Sequence, residues 1–98
     1  MIVASRVSDC DYPVDRKTVL GNPFRMYQES QRDSVCDQFE HYFEDKIRGN
    51  DPVILDELRK IKALAESKPI FKIGCHCKPR RCHADTIAYF LNNYSDSI

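Results

Sequence analysis

The 98-residue chain has no surplus of either charge: fifteen Lys and Arg side chains meet fifteen Asp and Glu. A protein without a net field does not gather a long polyanion, so duplex nucleic acid is excluded as a partner. It also lacks an apolar run long enough to cross a bilayer, which excludes a membrane-spanning segment. The opening residues, Met1 to Val7, contain no extended apolar h-region and read as a first strand, not a signal peptide. Internal repeats and low-complexity segments are missing, and the length allows one domain, residues 1–98. The five cysteines are an odd number. Together with the expected cytoplasmic location, this points to free thiols, catalytic groups or metal ligands in place of a disulfide framework.

What the chain does contain is concentrated in Ile70 to Asp85, IFKIGCHCKPRRCHAD, which holds three of the five cysteines and two of the three histidines. An apolar run (Ile70, Phe71, Ile73) enters a loop of Gly, Cys, Pro and Arg, and helical periodicity resumes at Thr86. This is a strand-loop-helix, the arrangement in which open α/β proteins bind ligands and anions. Between Lys68 and His83 there are five cations and no carboxylate, whereas Glu29 to Glu66 is net acidic. A phosphate-sized or nucleotide-sized anion suits that local asymmetry.

Elsewhere, Ile2 to Val7 has the β-branched, apolar character of a buried strand. Residues 8–25 carry Pro13, Gly21 and Pro23 without a sustained period, so they form a long loop, with a short extended piece at Tyr12 to Val14 or Thr18 to Leu20. A first helix starts near Ser30, with Asp33 as its capping-box partner, and buries Val35, Phe39, Tyr42, Phe43 and Ile47 before Gly49 stops it. Asp51 caps a second helix with Pro52 in its first turn. That helix runs to about Glu66 and buries Ile54 or Leu55, Leu58, Ile61, and Leu64 or Ala65. A third takes Ile87, Phe90 or Leu91, and Tyr94 as its stripe. Two strands joined by a helical crossover should be parallel. The expected fold is α/β: a small Rossmann-like domain whose short, mainly parallel sheet is packed by three helices. A homo-oligomeric or host-protein partner would cover any exposed face.

Three chemistries compete in the loop. Cys75, Cys77, Cys82 and His83 are four zinc-competent donors within nine residues, though without the two-residue spacing of common knuckles. A zinc-stabilised protein-interaction module, with no catalysis, is one reading. Cys75 to Arg81 fits Cys-x5-Arg, the loop pattern of phosphatases and sulfurtransferases, but Lys78-Pro79 stands where a phosphate cradle uses glycine, and Pro79 has no N–H. The third reading needs no covalent step. Lys78, Arg80 and Arg81, with the first amides of the last helix, form an anion site, and His83 and Asp85 supply hydrogen bonds. The competing structural reading makes the cysteines small buried hydrophobes and His83 a satisfied core histidine.

Gly21-Asn22-Pro23-Phe24 upstream and Cys75-x-Cys77-x-Pro79-x-x-Cys82-His83-x-Asp85 downstream resemble the marks of a small domain family found in bacteria and their phages: an Asn-Pro-Phe turn and a Cys-His-Gly-Asp box. Ala84 stands where that family usually has glycine, and His76 where an aromatic residue is common. The resemblance implies a compact α/β domain, a phage origin and one shared site joining the two motifs. On that reading Arg6, Asn22, Pro23, Phe24 and Arg25 line one side of a pocket for a nucleotide-like anion. Cys77, Lys78, Arg80, Arg81 and His83 line the other. The ligand would be bound, sequestered or cleaved. If it is cleaved, His83 is the acid/base, its ordinary pKa being nearest neutrality, with Asp85 and Cys82 beside it.

Overall fold

Alternate residues of Phe71–Cys75 are apolar, and Phe71, Ile73 and Cys75 are buried on one side of this central strand, the third in chain order (β3). In the computed structural model, which describes residues 1–98 apart from the side chain of Ser97, two other strands flank it. They are β1, Ile2–Arg6, and β2, Tyr12–Pro13. Both run parallel to β3, in the order β1-β3-β2, with Ile2 opposite Phe71 and Tyr12 opposite Ile73. The short, parallel α/β sheet expected from the sequence is therefore present. The piece at Tyr12 is its second edge, whereas Thr18 to Leu20 is not a strand.

The link from β1 to β2 crosses the central strand. Val7–Asp9 make one 3-10 turn, and the chain passes so close to Gly74 that a Cβ there would lie 2.5 Å from Cys10 Sγ and 2.9 Å from Val7 Cα. Glycine at 74 is what lets a five-residue connector cross the sheet. At the start of β1, Asn92 imitates a neighbouring strand. Its Oδ1 accepts from the Ile2 amide at 2.8 Å, and its Nδ2 donates to the Ile2 carbonyl at 2.7 Å.

Three helices complete the fold: α1 (Arg32–Arg48), α2 (Pro52–Ala65) and α3 (His83–Tyr94). α2 begins as its sequence dictates: Asp51 accepts from the amides of Val53 and Ile54 at 3.0 and 3.1 Å, and Pro52 opens the first turn. α1 begins later than Ser30. Gln28 and Gln31, in place of the expected Ser30 and Asp33, form the reciprocal capping bonds of a 3-10 turn at Glu29–Gln31 that leads into it. α3 begins three residues before Thr86. Asp85 accepts from the Cys82 amide at 3.1 Å, which satisfies one of the donors at a helix start.

Phe39, Leu58, Ile61, Ile73 and Ile87 are fully buried in one contiguous core. Val14 and Leu20 join them from the long loop, so that loop is anchored by its own apolar side chains. Both Ile54 and Leu55 are buried, as is Leu91. Of Leu64 or Ala65 it is Ala65 that packs, half-buried, against the core, whereas Leu64 and the expected stripe residue Tyr94 are 45% and 53% exposed at the outer ends of their helices. Among the described residues no helix is long and apolar enough to cross a membrane.

Candidate functional site

β3 ends at Cys75, and the chain turns through Lys78-Pro79, a cis peptide, into α3. Beside this turn lies a cavity of about 200 Å³. Its floor is Cys75, Cys77, Cys82 and His83. α1 contributes Arg32, Val35 and Cys36, and the long loop contributes Asp15, Arg16, Asn22 and Met26. Asn22 of the Asn-Pro-Phe turn and His83 of the Cys-His loop thus face one space. It lies beyond the C-terminal end of the central strand, where ligands bind in open parallel sheets.

His83 is buried, and its Nε2 bonds to the Val14 carbonyl. A carbonyl only accepts, so the proton resides on Nε2, and Nδ1, 3.8 Å from Cys75 Sγ, is the bare nitrogen. The Phe39 ring packs against the imidazole at 5.2 Å between centroids, in edge contact. Burial lowers the pKa of His83, so the ring is neutral at physiological pH. Cys75 Sγ also accepts from the Cys77 amide at 3.4 Å.

The Cys75 and Cys82 side chains shift one another's titration in opposite directions. The neighbouring Cys75 thiol draws the Cys82 pKa down to about 7, helped by the Ala84 amide and the Lys78 charge and opposed by burial and Asp85. The same interaction, with burial, pushes Cys75 up. Burial also raises Cys36.

The cations of the loop are already partnered. Lys78 pairs with Asp85, and Arg80 with Glu29. Arg81 binds Asp33, Asp37 and Glu40 of α1 at 3.1, 2.9 and 3.2 Å. Arg32 returns the clamp by pairing with Glu29 and donating to the Arg81 carbonyl at 2.8 Å. The positive run is therefore neutralised by carboxylates of α1, of the turn before it and of α3. Lys78 and Arg80 do not line the cavity, and neither does Asp85, whose carboxylate caps α3. Arg81 lines it with a guanidinium committed to three carboxylates, which removes the oxyanion binder that Cys-x5-Arg chemistry would use. Arg6 lies at the exposed end of β1. Pro23, Phe24 and Arg25 border a separate shallow cleft with Tyr27 and Gln38. Among the described residues no group of three or more His, Cys, Asp or Glu side chains is disposed to hold a metal ion.

Arg16 is the cation that sequence reasoning missed. Among the described residues no carboxylate lies within ion-pair distance of it, and its guanidinium reaches only the Phe24 carbonyl, at 3.4 Å. Its place in a patternless loop gives no signal beyond its nearness to the Asn-Pro-Phe turn. His76 was also passed over. It lies at the cavity with Nε2 3.0 Å from Asp15 Oδ2, its ring largely exposed and the carboxylate largely buried. Asn22 Oδ1 accepts from the Phe24 amide at 2.9 Å, which fixes the turn and leaves its Nδ2 hydrogens as the remaining donors.

The fold and the site define a small parallel α/β domain with an arginine-, histidine- and thiol-lined cavity at the end of its central strand. The chain belongs to the family described as Domain of unknown function (DUF4326), which matches residues 3–93. It is also similar to the "Uncharacterized 12.4 kDa protein in nrdA-td intergenic region" of Enterobacteria phage T4. The two are 29% identical over 91 residues, spanning 93% of this chain and 76% of the relative. One relative of the chain is thus a phage protein. No solved structure matches the chain.

Proposed function

We propose that this domain binds a small anionic, nucleotide-like ligand in the cavity between the Asn-Pro-Phe turn and the Cys-His loop, and as a phage-type protein sequesters or cleaves a host nucleotide signal. The observation that carries the reading is that Asn22 and His83, sixty-one positions apart, line one cavity together with Arg16, which among the described residues has no carboxylate within ion-pair distance. Arg16 supplies charge to the anion, Asn22 Nδ2 supplies directed donors, and Met26 and Val35 supply an apolar wall for a flat ring. About 200 Å³ is below the roughly 300–1,000 Å³ of pockets that engulf drug-sized ligands, so the cavity grips one part of a nucleotide while the rest extends past His76.

Thermal shift against adenosine and guanosine mono-, di-, tri- and cyclic phosphates tests this. At least one nucleotide should raise Tm in wild type, and Arg16→Ala should abolish the rise without lowering the Tm of the free protein. If no nucleotide stabilises the protein, or if stabilisation is unchanged in Arg16→Ala, the reading fails.

A further inference from the structure

His76 and Asp15 meet at the cavity in a pair that anion binding leaves unused. The sheet brings them together. β2 and β3 run parallel with Pro13 opposite Gly74, and the Val14 amide extends the ladder by donating to the Gly74 carbonyl at 2.9 Å. Two residues past that register, Asp15 lies beside His76, with His76 Nε2 3.0 Å from Asp15 Oδ2. A carboxylate accepts, so Nε2 carries the ring proton and Nδ1 is the bare nitrogen. Asp15 is buried, and its backbone carbonyl accepts from the amide and the hydroxyl of Thr18, both at 2.9 Å, which holds the residue in place. The His76 side chain, by contrast, is 67% exposed. A buried carboxylate that orients an open imidazole is the arrangement a general base requires. His83 is less suited to that part, because its Nε2 proton is held by the Val14 carbonyl and its Nδ1 lies 3.8 Å from Cys75 Sγ.

On the nucleotide-binding reading above, we infer that His76, oriented by Asp15, is the general base of a hydrolase site that cleaves the terminal phosphoanhydride of a nucleoside di- or triphosphate. Arg16 follows Asp15 directly in the chain and lines the same cavity, which brings a bound phosphate to the pair. His76 Nδ1 takes a proton from water, the water oxygen bonds to the terminal phosphorus, and the bridging P–O bond breaks with its electron pair on the departing nucleotide phosphate. Arg16 meets that charge. The imidazolium then gives its proton to solvent, and one anhydride and one water have become two phosphates. An anhydride is selected over an ester because its leaving group departs as a stabilised anion. An alkoxide would need a proton from a second group, and Lys78, the lysine of this loop, is paired with Asp85 and does not line the cavity.

The test is incubation of the full chain with magnesium and adenosine or guanosine di- and triphosphates in heavy-oxygen water, with the monophosphates and cyclic phosphates as ester controls. Wild type should release inorganic phosphate carrying one heavy oxygen from at least one di- or triphosphate. His76→Ala should lower kcat by about a hundredfold or more with KM little changed, and added imidazole should restore part of the rate. Asp15→Asn, at the positioning residue, should lower kcat less and keep the nucleotide-induced rise in Tm. Absence of phosphate release by wild type, an unchanged rate in His76→Ala, a loss there that imidazole does not rescue, or cleavage confined to the esters would each overturn the inference. The wild-type reaction decides the matter even if a variant does not fold. If nucleotides raise Tm and none is cleaved, the inference fails and the binding reading stands; if none binds and none is cleaved, both fail.

Discussion

Arg16 and His83 show how far side-chain chemistry can be read from this sequence. His83 is conspicuous because it sits in a motif; the structure adds that Nε2 is tied to Val14 and that burial keeps the ring neutral, so any acid/base role of this ring falls to Nδ1. That burial makes a prediction about pH. The ordinary histidine pKa is 6.5, and the folded value lies below it. Between the two, the unfolded chain binds a proton that the native state refuses, so stability rises with pH through that window and falls as pH drops below about 6.5. Urea denaturation at pH 7.5 and 5.5 should show the native state weaker at 5.5, and His83→Gln should lose that slope. Gly21 makes a second case, since a Cβ there would lie 2.6 Å from the Asp15 carbonyl oxygen and 2.7 Å from Arg16 Cα. Gly21→Ala should push the backbone carrying Arg16 and cost about 1–3 kcal/mol, read as a lower urea midpoint.

At the level of elements, α2 was legible because Asp51-Pro52 and a regular apolar stripe act locally. α3 was legible except for its first turn. Cysteine is not among the favoured caps, so Cys82 as the residue preceding the helix, with Asp85 reaching back to its amide, gives little local signal. β2 is two residues long and exists because it completes a ladder with β3, a contact made across some sixty residues of chain. The charge run of the loop reads as an open anion site, yet Arg81 is taken by Asp33, Asp37 and Glu40 of α1 and Arg80 by Glu29 just before it, forty-one to fifty-one residues earlier, and Lys78 by Asp85 of α3. No local pattern shows the pairing with α1. Gly74 belongs to this scale too. Gly74→Ala places a methyl group against Cys10 and Val7 in the strand crossing and should destabilise by about 1–3 kcal/mol. At about 4–8 °C per kcal/mol for a domain of this size, differential scanning calorimetry will resolve the drop in Tm.

For the whole molecule, the parallel α/β architecture followed from the order of elements, but the strand order β1-β3-β2 did not, because it depends on the short connector passing over Gly74. The core is continuous from Ile2 through Phe39 to Leu91, and stability should come from that burial without help from a metal. Extensive dialysis against a chelator should therefore leave Tm unchanged, whereas a zinc-stabilised fold would unfold. Bringing Asn22 and His83 to one cavity is likewise a property of the complete fold: the long loop is pinned by Val14 and Leu20, and α3 is set by its contacts with β1 and β3.

The most direct measurement of the central claim is an NMR titration of the uniformly labelled protein with the nucleotide that gives the largest thermal shift. Amide resonances of Arg16 and Asn22 and those of Cys75 to His83 should move together, with one dissociation constant. Shifts confined to Arg25, Lys78 or Arg80 on the outer surface, with Asn22 and His83 unmoved, would contradict a shared pocket.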